Sequence, residues 1–259
     1  MRLVRYADGS VRYGRIEDDG TIKPLKASPY EGLDVTCCPT HVSKVRLLAP
    51  IEPRSVIGVG RNYADHVTER DPNQKAPSIP MLFMKPLSSV IGPDEPIVYP
   101  TGSTIVQYEG ELAAVIGKTA RHVSEQDALG YVLGYTCAND VSERTIQREE
   151  MVQGALFVGK GFDTFCPLGP ALLVGGDPTN MQLTTRLNGE VKQSISTKQM
   201  LFPVATLIAW MSKAFTLFPG DVIITGTPKG VGNIKPSDVI EVEISGIGTL
   251  RNAVIAESR

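Results

Sequence analysis

Histidine is nearly absent from this chain of 259 residues, in which His41, His66 and His122 are the whole supply. A metal centre built on several imidazoles is thereby excluded, and any bound metal must be held by oxygen. Cysteine is scarce too. Cys37, Cys38, Cys137 and Cys166 form no CxxC pair, which argues against a disulfide framework and fits reduced thiols. Charge of one sign is also lacking. A formal net charge of −2 argues against nucleic acid or anionic lipid as partner, since both call for concentrated basic charge. No uninterrupted apolar run approaches the span of a bilayer. The start, Met1 to Gly9, lacks the apolar core of a signal peptide. The expectation is a cytoplasmic protein with no nucleic-acid or membrane partner.

What is present is ordinary for a globular protein, with 42% hydrophobic and 21% charged residues. The length suits one large domain with a small appendage. Residues 1–50 read as that appendage, a small β-rich domain. Leu3 to Tyr6 and Val11 to Ile16 flank the turn signal Asp8-Gly9-Ser10, and Asp18-Asp19-Gly20 marks another turn. The main body, 51–259, opens with the apolar run Val56 to Gly60. From Arg61 to Pro80 the chain turns polar and proline-bearing, a long loop of the kind that serves as a lid, with a short helix at Ala64 to Glu69. Beyond it strands dominate. Thr104 to Gly117 reads as one strand, Asn188-Gly189 as a hairpin, and Pro203 opens a helix with Val204, Leu207, Ile208, Met211 and Phe215 on one face. A shorter helix is expected from Ser124, with Asp127 in capping-box position. Helices are few and strands many, so the fold class is mostly β (α+β).

Glu109 and Glu111 carry the first chemical signal. Residues two apart share a strand face, so both carboxylates point into one small volume. Like charges that close raise each other's pKa unless a cation lies between them, and all-oxygen ligation suits Mg²⁺, Mn²⁺ or Ca²⁺. Asp140, after the apolar run Tyr131 to Ala138, can supply a third carboxylate. The bland alternative is a solvated strand face, and Asp140 could equally be a helix cap. His66 and Glu69, three apart, meet on a helical turn, where a carboxylate fixes the imidazole tautomer and makes a general base. A surface pair explains them equally well. Lys160, amid apolar and glycine residues, needs a negative partner if it points inward, yet most lysines snorkel to solvent. Gly58-Val59-Gly60 lacks the third glycine of a dinucleotide fingerprint. Gly226 to Gly232 lacks the Gly-Lys-Ser/Thr order of a phosphate loop, so a nucleotide enzyme is not expected.

Six segments in order resemble the fumarylacetoacetate hydrolase family. They are Gly60 to His66, Phe83-Met84-Lys85-Pro86, Tyr108 to Leu112, Gly134 to Ser142, Gly159 to Asp163 and Gly220 to Gly232. The resemblance covers about 55 to 255, and the first fifty residues look like the short N-terminal domain of many bacterial members. It implies a mixed β-roll or β-sandwich fold, a homodimer, and Mg²⁺ or Mn²⁺ held by Glu109, Glu111 and Asp140. It casts Arg61, Arg144, Gln147 and Thr227 as substrate contacts. Lys160 joins the His66–Glu69 dyad, placed on a mobile lid, as catalytic. One departure is that relatives often read Ser-Ala-Arg-Asp where this chain has Ser142-Glu143-Arg144-Thr145.

The implied substrate is a small 2-oxo acid or dicarboxylate whose reaction at C3 leaves an enolate on the C2 oxygen. Acylpyruvate hydrolysis or oxaloacetate decarboxylation comes first, because a His66–Glu69 base suits both. The alternative within the family is isomerisation of a 2-hydroxyhepta-2,4-diene-1,7-dioate. The alternative outside catalysis is a protein that only binds metal and dicarboxylate.

Overall fold

Strand Gly110–Ile116 is buried along its whole length. Leu112, Ala114 and Ile116 join one apolar cluster and Ala113 and Val115 another. A strand covered on both faces reads as a continuous apolar run, as this one does. In the computed structural model, which describes residues 1–69 and 72–258, this strand lies inside a twelve-stranded sheet. From one edge the main path runs Thr40–His41, Thr21–Pro24, Val11–Ile16, Arg2–Ala7, Cys166–Leu173, Val132–Asn139, Gly110–Ile116, Asp221–Ile224, Ser55–Gly60 and Met81–Lys85. The sheet is mixed: Asp221–Ile224 runs parallel to Ser55–Gly60 and antiparallel to Gly110–Ile116.

A second, five-stranded sheet contains Gln182–Leu187, Val239–Ile244 and Gly248–Ala256. Its Leu183, Ile240, Val242 and Leu250 share the cluster of Leu112 and Ile116. Helix Val204–Ala214 adds Leu207, Ile208 and Met211 to that core. Each such side chain, fully buried, stabilises the fold by about 2 kcal/mol. The mostly β (α+β) expectation holds, with three α-helices among the described residues. None of these is long and apolar enough to cross a membrane.

Residues 1–50 extend the large sheet, because Arg2–Ala7 pairs with Cys166–Leu173 through Leu3 and Leu172. They also carry a small apolar cluster of their own, with Val4, Tyr6 and Ile22 against Ala171. The Asn188-Gly189 hairpin joins Gln182–Leu187 to Glu190–Ser196, and both turn residues take the positive φ that a tight right-twisting hairpin requires.

Three local expectations are corrected. Thr104 to Gly117 is not one strand but two, Val106–Tyr108 and Gly110–Ile116, which pair in different sheets. No α-helix starts at Ser124. Its hydroxyl and the Asp127 carboxylate close a turn at 2.6 Å, followed by a 3-10 turn over Ala128–Tyr131. The helix that does form, Arg144–Val152, is capped by Glu143, which accepts from the Ile146 amide at 2.7 Å. The lid helix is limited to Ala64–Val67, and positions 70 and 71 of the expected lid lie outside the described residues.

Candidate active site

Sheet register places the acidic groups. In the antiparallel ladder Glu111 faces Ala138 and Gly110 faces Asn139. The next pair is therefore Glu109 and Asp140, tied by Asp140 N–H donating to Glu109 C=O at 2.8 Å. The Asn139 side chain closes the same corner, its Oδ1 accepting from the Glu109 amide at 3.0 Å. Carboxylate oxygens of Glu109, Glu111 and Asp140 consequently lie within 4.8 Å of one another. All three residues are buried, Glu111 and Asp140 at 1% exposure. That exposure excludes the solvated strand face, and the Glu143 cap excludes Asp140 as a helix cap.

Cations enter this acidic corner from three elements. Lys160, on the 3-10 turn Val158–Lys160, donates to Glu109 at 2.7 Å and also to Asp140. The turn reaches that depth because Gly159 has no side chain: a Cβ there would stand 2.6 Å from the Gln147 backbone nitrogen. Arg144, the first residue of its helix, donates to Glu109, to Gln107 at 2.7 Å and to Gln147 at 2.6 Å. Lys85, at the end of strand Met81–Lys85, donates to Asp140 at 2.6 Å and to the carbonyls of Val141 and Lys160. Glu111 has no such ion pair among the described residues. It accepts from the Gly226 amide at 2.6 Å.

The titration behaviour follows from this partition. Burial works to raise the pKa of Glu109, but Arg144 and Lys160 outweigh it and hold the carboxyl well below the usual range. Glu111 goes the other way. Burial first, then Asp140 and Glu109, lift its pKa well above an ordinary carboxylate. Lys160 is penalised by burial, yet Asp140 and Glu109 raise it overall and keep it charged. Three buried carboxylates, one of them with no cation beside it, are a donor set that suits a hard divalent ion. The residues fit one.

Above the corner is a cavity of about 260 Å³, lined among others by Arg61, His66, Glu109, Asp140, Arg144, Gln147, Lys160 and Thr227. His66 Nδ1 lies 3.0 Å from Glu69 Oε2, a contact that favours the tautomer with its proton on Nδ1 and Nε2 as acceptor. Glu69 is outside the lining, and its second oxygen accepts from the Gly230 amide at 2.8 Å. The dyad is thus clasped to the loop that also holds Glu111 and Thr227.

Comparison with known proteins now bears on this geometry. Residues 55–255 match the fumarylacetoacetate (FAA) hydrolase C-terminal family, and residues 1–50 the Rv2993c-like N-terminal family. The chain belongs to the fumarylacetoacetate hydrolase family. Among similar proteins, the mitochondrial oxaloacetate tautomerase Fahd2a of Rattus norvegicus is 45% identical, over 82% of this chain and 70% of that protein. A 2,4-didehydro-3-deoxy-L-rhamnonate hydrolase of Sphingomonas sp. is 41% identical, over 96% of this chain and 90% of its own. A crystal structure of 5-carboxymethyl-2-hydroxymuconate delta-isomerase from Mycobacterium smegmatis superposes with a TM-score of 0.91 at 42% identity, covering 99% of this chain and 100% of that one. The fumarylacetoacetate hydrolase fold is therefore the observed one, and enzymes of isomerase, hydrolase and tautomerase activity are this chain's relatives.

In this family member nine of the ten residues singled out from sequence border the cavity or its acidic base, and Glu69 stands behind His66. Two of them are engaged differently from simple substrate contacts. The Thr227 hydroxyl donates to Gly110 C=O at 2.9 Å and accepts from Gln193 at 2.8 Å. The Arg144 guanidinium is committed to Glu109, Gln107 and Gln147. Sequence reasoning missed Lys85, Gln107 and Arg148. A signal for Lys85 did exist: along Met81–Lys85 the alternation puts Lys85 on the inward face with Phe83, opposite exposed Leu82 and Met84.

Proposed function

We propose that this protein is a divalent-metal-dependent enzyme that acts on small 2-oxo acids through an enolate at C2–C3. The observation that carries the reading is the convergence of Glu109, Glu111 and Asp140 at the base of a cavity that also holds Lys160. These three carboxylates would hold the ion, Mg²⁺ or Mn²⁺ and in principle Ca²⁺. Bound there, it would supply Lewis acidity for the oxygens of a 2-oxo acid. Lys160 keeps a buried positive charge where the C2 oxygen gains negative charge, which favours the enolate over the ground state. Gln147 and Thr227 border the volume left for the substrate, and Arg144 keeps Glu109 ionised.

His66, with Nδ1 held by Glu69, moves the proton. It can take one from C3 or from a water aimed at C4. Water attack gives acylpyruvate hydrolysis, and loss of CO₂ from oxaloacetate reaches the same enolate. Return of a proton to carbon gives tautomerisation or isomerisation. The second reading, proton transfer alone, is favoured by relatives called tautomerase and isomerase. Under this proposal the chain works as a homodimer in the cytoplasm, with residues 1–50 as a small domain docked on the catalytic one.

The test is an assay of purified protein with Mg²⁺ or Mn²⁺ against oxaloacetate, followed as enol–keto conversion and as CO₂ release, and against acetylpyruvate. Glu109→Ala should lose both ion binding and turnover, by about 10³-fold or more in rate. Undiminished turnover in that variant after chelation sinks the proposal.

A further inference from the structure

The cavity carries more positive charge than its acidic base explains. Four cations line it, Arg61, Arg144, Arg148 and Lys160, against two carboxylates, Glu109 and Asp140. Below the lining, Lys85 is paired with Asp140. Arg144, Lys160 and Lys85 are each engaged with a carboxylate of the corner. Arg61 and Arg148 make neither an ion pair nor a side-chain hydrogen bond among the described residues. The unbalanced charge is therefore theirs.

Their placement separates them from the acidic corner. Arg148 lies four residues beyond Arg144 on helix Arg144–Val152, so both lie on one helix face, about 6 Å apart along its axis. Arg144 is buried against Glu109, whereas Arg148 is exposed at the cavity rim with Met151. Arg61 comes to the same cavity from another element, the loop after strand Ser55–Gly60. Its backbone is left-handed, with φ of 57°. Such a conformation costs a non-glycine residue energy and recurs where a side chain must be aimed at a ligand. A planar guanidinium takes a carboxylate through two parallel hydrogen bonds, and two guanidiniums on separate elements can take it from two sides.

We propose that Arg148 joins Arg61, already implied as a substrate contact by the family resemblance, in a second anion subsite at the rim, which takes the distal carboxylate of a dianionic 2-oxo acid and so selects diacids over monoacids. This rests on the reading that the 2-oxo end of the substrate lies over Glu109, Glu111 and Asp140. Charge on the rim would also steer a dianion toward the cavity, an effect that salt screens.

The experiment uses full-length protein with Mg²⁺. It measures KM for oxaloacetate and inhibition by two ligands that keep only the 2-oxo or metal-facing end, pyruvate and oxalate, in wild type, Arg148→Gln, Arg148→Lys and Arg61→Gln. The expected result is a rise of about tenfold in KM for oxaloacetate in Arg148→Gln, partial recovery in Arg148→Lys, and inhibition by pyruvate and oxalate within twofold of wild type. Arg61→Gln should act in the same direction. The salt dependence of kcat/KM for oxaloacetate should flatten in both Gln variants. If oxaloacetate KM and its salt dependence are unchanged while oxalate still inhibits, Arg148 is a solvated surface arginine. The subsite is then wrong and the function proposed above stands. If pyruvate and oxalate weaken as much as oxaloacetate, the arginines act on the whole cavity and selection by the rim is overturned. If wild type shows neither Mg²⁺-dependent turnover nor oxalate inhibition, the underlying reading falls and the subsite falls with it.

Discussion

The N-terminal strands and the acidic corner use the same chemical pairs to different ends. Lys26–Asp34 is an ion pair between largely exposed side chains, and Arg2–Asp18 joins a half-buried arginine to a fully exposed aspartate. Lys85–Asp140 and Lys160–Glu109 are ion pairs whose side chains are at most 6% exposed. Water and salt screen the first kind, which contributes little. The second kind has no water to fall back on, so each partner depends on the other. Charge on the outer strands decorates a fold. Charge in the corner is a commitment that only a complete set of partners sustains.

The comparison breaks most visibly at Lys85. Lys85→Ala removes the donor from Asp140 and from two carbonyls, and should destabilise the protein by about 3–5 kcal/mol. Urea unfolding monitored by circular dichroism would measure it, and a loss below about 1 kcal/mol would show the corner to be more hydrated than its burial implies. Next in size is His66→Ala, which should lower turnover about 10²–10⁴-fold and leave Mg²⁺ affinity intact. Parallel calorimetry and kinetics separate the two, and an unchanged rate would remove the dyad from the mechanism.

Glu111 sharpens the contrast from within the corner. Burial first, then Asp140 and Glu109, raise its pKa, so the folded chain holds this proton more tightly than the unfolded chain does. Its contribution to stability is full below the unfolded pKa and is lost as pH rises through the folded one. In metal-free protein Glu111→Gln should therefore raise the melting temperature, and more at mildly alkaline than at mildly acidic pH. The same variant should lose Mg²⁺ binding, which in wild type should strengthen with pH because the ion displaces that proton. Smallest of all is Lys26→Ala on the outer strands, expected to shift the melting temperature by no more than about 1 °C.

Much of the site was legible beforehand, and for a local reason. Carboxylates at 109 and 111, an Asn-Asp after an apolar strand and a lysine between glycines are features of short segments, and their order along the chain pointed to the family. Arg148 and Gln107 were not legible. Gln107 gains meaning only through its contact with Arg144, distant in sequence, and Arg148 only through the cavity that several elements enclose. The helix at Arg144–Val152 was read only as an alternative, with Asp140 rather than Glu143 as its cap. Its residues are mostly polar, so no apolar stripe announced it.

By itself the sequence determined which groups could do chemistry. It carries few histidines and no zinc-type cysteine pairs, so oxygen was the ligand for any metal. Its apolar residues between Thr104 and Gly117 called for a strand, with Glu109 and Glu111 on one face. Only the tertiary structure decided how the charges meet. Sheet register set Asp140 beside Glu109, and a glycine-permitted turn brought Lys160 between them. The inward face of Met81–Lys85 delivered Lys85 to Asp140. Alternation along a strand says which way a side chain points but never which strand lies beside it. That partner is chosen by burial summed over the whole sheet, and with it the pKa of every group in the corner.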